Sequence, residues 1–203
     1  MTIGRVRFVL ASGSPARLAT LRAAGLDPEV VVSGVDESGV EAAAPRELVQ
    51  LLADAKLAAV AERIEQPAFV LACDSMLEFD GAPLGKPDSA AAAAQRWREM
   101  RGRSGILHTG HALRGPSGTG RCTVSTTVHF ADVTDAEIER YVASGEPLTV
   151  AGAFTIDGLG GWFVERIDGD HHNVVGVSLP TVRAMVRALG YELADLGPTT
   201  RRT

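Results

Sequence analysis

A short, largely apolar run, Val6–Ala11, breaks at Ser12-Gly13-Ser14-Pro15 and passes directly into a helical segment, Arg17–Ala24. A buried strand that feeds straight into a helix needs a sheet with helices laid on it, so this junction restricts the fold more than any other feature. Ser14 suits the N-cap, Pro15 the first helical position and Gly25 the stop. The alternation continues along the chain. A helix is expected over Glu47–Ile64 after Pro45, a second buried strand over Phe69–Ala72, and a hairpin over Met76–Leu84 around Asp80-Gly81. Ser89–Met100 reads as a helix and Cys122–Phe130 as a strand. Thr134 and Glu137 form a capping-box signature for a helix through Tyr141. Residues 151–176, glycine-rich and aromatic, read as short strands and close turns. Thr181–Leu189 reads as the last helix, with a tail expected to fray after about 192. The expected class is α/β, and 203 residues suit one domain, or one domain folded as two lobes.

The formal net charge of −5 argues against a partner that is a nucleic acid polymer, because phosphate backbones select basic surfaces. A nucleotide remains open as a substrate, since a few local cations hold one triphosphate. Two cysteines, Cys73 and Cys122, make no disulfide framework and point to a reducing compartment, the cytoplasm. The sequence has no apolar run approaching the ~18 residues of a membrane span, so no membrane partner is expected.

Four clusters carry chemistry. Ser12-Gly13-Ser14-Pro15-Ala16-Arg17 sits at a strand-to-helix junction, where free N–H groups and the helix dipole favour an anion and Arg17 can add a bidentate contact. Asp36-Glu37 pairs two loop acids of the kind that ligate Mg²⁺. Cys73-Asp74-Ser75 places an acid immediately beyond a buried strand, the position of a cleft at a sheet edge, where it can hold a metal or orient water. Gly85-Lys86-Pro87 fixes a lysine between a flexible and a rigid residue, and Lys56 lies in an Ala/Leu helix. These two are the only lysines, every other basic residue being arginine. Taken singly, each cluster has a plainer alternative: a helix cap with a solvated Arg17, solvated loop acids, a turn-forming Asp74, an exposed loop Lys86. His108, His111, His171 and His172 lack zinc-site spacing and read as structural or surface residues. Asp168-Gly169-Asp170 reads as a turn, and Gly158–Gly161 lacks the context of a dinucleotide site.

Taken in order, Leu10–Arg17, Val35–Glu37, Leu52–Lys56, Ala72–Ser75, Leu84–Pro87, Thr109-Gly110, Tyr141–Pro147, Ala151–Phe154, Gly158–Gly161 and Asn173–Gly176 resemble the Maf family, from about residue 7 to about 190. The resemblance implies a two-lobed mixed-sheet fold similar to the inosine triphosphate pyrophosphatases, with a cleft between the lobes. It implies a hydrolase that splits a nucleoside triphosphate into monophosphate and pyrophosphate, clearing non-standard or modified nucleotides, dependent on Mg²⁺ or Mn²⁺ and working as monomer or homodimer. Asp74 then stands at the catalytic acid and Glu37 at its companion, the two flanking the metal. Lys56 and Lys86 stand at phosphate-holding lysines, and Ser12, Ser14 and Arg17 at a phosphate cradle. The alternative is a nucleotide-binding regulator of septum formation with little catalysis, against which the retention of both acids speaks.

The sequence departs from the family pattern where the base is read. Ala16 stands where many members have the first of two basic residues, and Ser75 and Asp157 stand where the branch that resembles dTTP/UTP hydrolases has threonine and glutamine. Gly176-Val-Ser-Leu-Pro180 stands where Gly-Leu-Pro is usual.

Overall fold

A computed structural model describes residues 5–40 and 42–197. Its seven-stranded mixed sheet is built on one long strand. That strand, β3 (Ala68–Phe79), is buried over its first seven residues and runs unbroken for twelve, roughly 40 Å. On one side it pairs along most of its length with antiparallel β5 (Ser104–Gly115), which pairs in turn with β6 (Gly118–Phe130), and β6 with β7 (Val164–Asp168). The other edge is divided. Parallel β1 (Arg7–Leu10) covers Ala68–Leu71 and carries β2 (Glu29–Val30) outside it, whereas antiparallel β4 (Ala82–Leu84) covers Leu77–Phe79. Between these two partners, residues 72–76 of β3 have no strand on that edge.

Local chemistry sets the helices. Ser14 caps α1 (Pro15–Ala23), its Oγ accepting from the Arg17 N–H, and Gly25 at φ 86° ends the turn. Pro45 opens α2 (Pro45–Ala61), and Ser89 caps α3 (Ala90–Met100). Thr134 and Glu137 form the anticipated reciprocal capping box at α4 (Asp135–Ala143). Asp80 and Gly81, both at positive φ, close the β3–β4 hairpin as the dipeptide requires.

Four points of the sequence reading need correction. The segment after Ala72 is no turn: the strand continues through Asp74, so neither the sheet-edge placement beyond a strand nor the turn-forming alternative holds. β5 was not foreseen, because its burial on both faces over Leu107–Leu113 erases the period-two signal. Residues 151–176 contain, besides β7 and tight 3₁₀ turns, a short helix, α5 (His171–Val175), capped by Asp170 and stopped by Gly176 at φ 118°. Beyond α6 (Leu179–Ala188) the chain stays packed: the Val6 N–H donates to the Asp195 carbonyl (2.6 Å), the Gly197 N–H to that of Val6 (3.1 Å), and Leu196 is buried. Fraying from about 192 therefore does not describe 193–197, and residues 198–203 lie outside the described range.

Of three hydrophobic cores among the described residues, one, with Val9, Val60, Val70 and Ala72, lies between the sheet and α2, and two flank the divided edge along β3 and β5. Of these two, one gathers Phe8, Leu10, Leu21, Phe69, Leu71 and Val186. The other centres on Trp97, whose ring meets Phe130, Tyr141 and Phe163 edge-on and whose indole N–H donates to the Ala153 carbonyl (2.8 Å). The two lobes of the expected fold are these two cores.

Candidate active site

The gap along β3 is where the chemistry-bearing segments converge. β1 leaves the sheet at Leu71 and runs into Ser12-Gly13-Ser14, while β4 leaves at Leu77 and runs into Gly85-Lys86-Pro87. Continued by two residues, the β4 register sets Lys86 opposite Ser75. Two strands of opposite direction thus part at one point on the same edge, the arrangement that opens a ligand crevice in α/β sheets. The Lys86 loop is held by its neighbour, since the Gly85 carbonyl accepts from Arg96 Nη1 (2.6 Å) and from the Gly152 N–H (3.1 Å). Lys86 itself is exposed and has no ion-pair partner among the described residues.

Successive side chains on a strand point to opposite faces, so Asp74 and Ser75 look different ways. Asp74 faces α2. Its cross-strand neighbour on β5 is Gly110, and a Cβ at that position would fall 2.6 Å from the Val49 carbonyl carbon and 2.8 Å from the Gln50 Cα. Only glycine lets the α2 backbone lie this low. Gln50 anchors it there, donating to the His111 carbonyl (3.1 Å) and accepting from Thr123 (2.9 Å). The same helix delivers Lys56, whose ammonium bridges Asp74 Oδ1 (2.5 Å) and Glu37 Oε1 (2.7 Å). Lys56 and Asp74 are nearly enclosed, with side chains 12% and 11% exposed, and Glu37 is half open to solvent. In this structure Lys56 is engaged by both carboxylates. Asp36 instead folds its carboxylate onto Ser38.

Ser75 faces α1 and α5. Arg17 reaches across from α1 and donates to Gly176 O through Nε (2.8 Å), to Ser12 Oγ through Nη1 (3.2 Å) and to Ser75 Oγ through Nη2 (2.9 Å). Thr109 donates to the Asn173 carbonyl (3.1 Å), which leaves its oxygen to accept from Ser75 (2.9 Å). All three Arg17 acceptors are neutral, and no carboxylate pairs with it among the described residues. A part-buried guanidinium without a counter-charge, beside the unpartnered Ala16 N–H in the first turn of α1, is an arrangement that can take an anion. Gly176 makes the arrangement possible: it has φ 118°, and a Cβ there would crowd Arg17 Nε at 3.1 Å. Ser12 Oγ also accepts from the Ser14 N–H (3.2 Å), drawing the loop into a cradle.

Burial pushes the Cys73 thiol up to about 12, with the Arg17 charge opposing it, so Cys73 stays a neutral core group. His111 is pushed down to about 4, first by burial and then by Arg17. Its Nε2 accepts from the Ser178 N–H (2.8 Å) at the start of α6, so the neutral ring carries its proton on Nδ1, facing the Thr109 carbonyl (3.1 Å). Because the folded value lies below that of the unfolded chain, the neutral ring's contribution is complete above about pH 6.5 and is lost as the pH falls toward 4. The difference is worth roughly 3 kcal/mol. In urea unfolding, the stability gap between the parent and His111→Gln should narrow by most of that amount between pH 7.5 and 4.5. A gap independent of pH would assign His111 no such role. His108 is also structural, held between Glu78 (2.9 Å) and Ser125 (2.8 Å), the latter bound by Arg46.

Of the base-reading candidates, Ala16 sits in the first turn of α1. Asp157 is exposed on the loop between the turns at Ala151–Ala153 and Leu159–Phe163, its carboxylate accepting from the Thr155 hydroxyl. Sequence reasoning missed the roles of Arg96, Thr109, Asn173 and Gly176. Three of these stood inside quoted motifs but act through contacts between distant elements.

Residues 7–189 match the family model described as Maf-like protein. A protein of Streptomyces avermitilis named nucleoside triphosphate pyrophosphatase is 54% identical over 195 residues, covering 95% of each chain. One of the same name from Thermosynechococcus vestitus is 51% identical over 193 residues, covering 94% of this chain and 98% of that protein. The solved structure of the Staphylococcus aureus Ham1 protein shares the fold, with a TM-score of 0.52 at 16% identity over 90% of this chain and 98% of that one.

Proposed function

Since this chain belongs to the Maf-like protein family, we propose that the divided edge of β3 is its active centre and that it hydrolyses nucleoside triphosphates to nucleoside monophosphate and pyrophosphate. The observation that carries the placement is Asp74 on the unpaired stretch of β3, with a cation-bearing loop on either side. In the free protein Asp74 Oδ1 faces Lys56, and Oδ2 is the oxygen left to accept the proton of a water aimed at the α phosphate. The Ser12–Ser14 cradle, Arg17 and Lys86 supply N–H donors and positive charge for the other phosphates. Lys86, free of carboxylates, is the group that neutralises charge on the departing pyrophosphate. A nucleotide of about four negative charges is held by this local field despite the acidic surface of the whole chain. The cytoplasm, where such nucleotides are made and used, is the fitting location.

A divalent cation suits the site. The Lys56 ammonium shows that the Asp74 and Glu37 carboxylates converge on one cation position, and hard oxygen donors are what Mg²⁺ and Mn²⁺ take. No cluster of three or more His, Cys, Asp or Glu capable of holding a metal occurs among the described residues, so the remaining ligands would be phosphate oxygens and water. When bound, the metal would supply Lewis-acid stabilisation of negative charge on the phosphates.

The test is a phosphate-release assay over a nucleotide panel, with and without added inorganic pyrophosphatase. Phosphate should appear only when that enzyme is present, and EDTA should suppress the signal. Orthophosphate released directly, with a diphosphate as co-product, would sink the assignment.

Base choice follows from Asp157. Asp157 is exposed on its loop, and its acceptor-only carboxylate, set against a base edge, would favour bases that present N–H groups, guanine or cytosine, and disfavour a carbonyl. Asp157→Gln should shift relative kcat/KM toward UTP and dTTP by about tenfold. A parent enzyme already selective for UTP and dTTP, and unchanged in the variant, would show that Asp157 does not read the base.

A further inference from the structure

Lys56 occupies the position where the two carboxylates converge, and this has a consequence for how a metal can enter. We propose that Lys56 is a resident counter-ion which a divalent cation must displace from Asp74 and Glu37, so that the free protein binds the cation weakly and takes it up together with the nucleotide. The proposal rests on reading Asp74 and Glu37 as the cation-holding pair.

The ammonium lies 2.5 Å from Asp74 Oδ1 and 2.7 Å from Glu37 Oε1, already hydrogen-bond distances, so a cation seated where these two oxygens converge takes the position the ammonium holds. Lys56, Asp74 and Glu37 together carry one negative charge. A bare divalent ion therefore exchanges one favourable contact for another and leaves a nearly enclosed ammonium with no acceptor. Among the described residues no other acid pairs with Lys56. The incoming triphosphate changes that balance by bringing the negative charge that the freed ammonium needs. Lysine suits the exchange, since a compact ammonium on a four-carbon stem can swing while its helix stays fixed, as a forked guanidinium held at two points cannot. The backbone contact over Gly110 and the Gln50 anchors keep α2 in place during the swing.

Direct Mn²⁺ binding in the absence of nucleotide, followed by the loss of the free-ion EPR signal, tests the idea. Lys56→Met should bind Mn²⁺ at least about tenfold more tightly than the parent. Adding Glu37→Gln to that variant should remove the gain. Equal or weaker binding by Lys56→Met overturns the proposal, as does a gain that survives Glu37→Gln. Glu37→Gln in the parent separates the two readings: if it weakens Mn²⁺ binding while Lys56→Met fails to strengthen it, the cation site stands and the displacement falls. Should Lys56→Met not fold, the parent decides, because Lys56 and Lys86 are the only lysines. Reductive methylation of Lys56, read against Lys86 by peptide mass mapping, should quicken severalfold in excess Mn²⁺ without nucleotide, and an unchanged rate would overturn the displacement. None of these readouts involves turnover, so a failed hydrolysis assay leaves them intact.

Discussion

Asp74→Asn is expected to fold like its parent and to hydrolyse nucleoside triphosphates at less than about one hundredth of the parent rate. Asparagine keeps the volume on the enclosed face of β3, and its amide oxygen can still accept from Lys56. Glu37 continues to balance the ammonium at 2.7 Å. Little of the fold therefore depends on the lost charge, whereas the chemistry loses both its proton acceptor and half of its anionic donor set. Melting temperature and steady-state turnover measured on the same preparation separate the two effects. A folded variant that retains more than about a tenth of the parent rate would remove Asp74 from the role of base.

Gly110→Ala is the second large effect, and it should strike stability and activity together. The added methyl would meet backbone atoms of Val49 and Gln50 at 2.6 and 2.8 Å, and backbone cannot rotate away as a side chain does. α2 must lift, which strains the buried Gln50 bond to the His111 carbonyl and draws Lys56 from Asp74. A cost of about 3 kcal/mol is expected in urea unfolding. Turnover should fall by an order of magnitude or so even where the variant is fully folded, because misplacement by 1 Å is costly in catalysis. Gly120→Ala on β6 is the matched control: its Cβ would meet the flexible end of Met185 at 3.5 Å, an ordinary contact, and both properties should stay near those of the parent. Equal behaviour of the two variants would deny α2 its part in aligning the site.

These contrasts show which parts of the molecule were legible in the residues. Features set within one turn could be read directly: the Ser14, Ser89 and Thr134 caps, the Asp80-Gly81 reversal and the glycine stop at Gly25 all lie where local chemistry puts them. Asp74 was identified as the central acid but placed past the end of a strand, because Asp and Ser interrupt an apolar run and resemble turn residues. What keeps the strand going is the ladder with β5, invisible locally because β5 is buried on both faces and shows no alternation. The bridge from Lys56 to Glu37 was equally hidden, since it joins a helix to a loop nineteen positions away. Arg17 reads in the sequence as a phosphate-contacting residue, yet its three acceptors come from β3, the first loop and the end of α5, segments that only the folded chain assembles.

The strands β3 and β5 pass through both flanking hydrophobic cores and pair with each other for nearly their full length. Neither core can come apart without tearing a ladder that the other also needs, so the halves of the molecule share one free energy of opening rather than holding two. Asp74 sits midway along that common ladder. Partial unfolding at either end is thereby discouraged from reaching it.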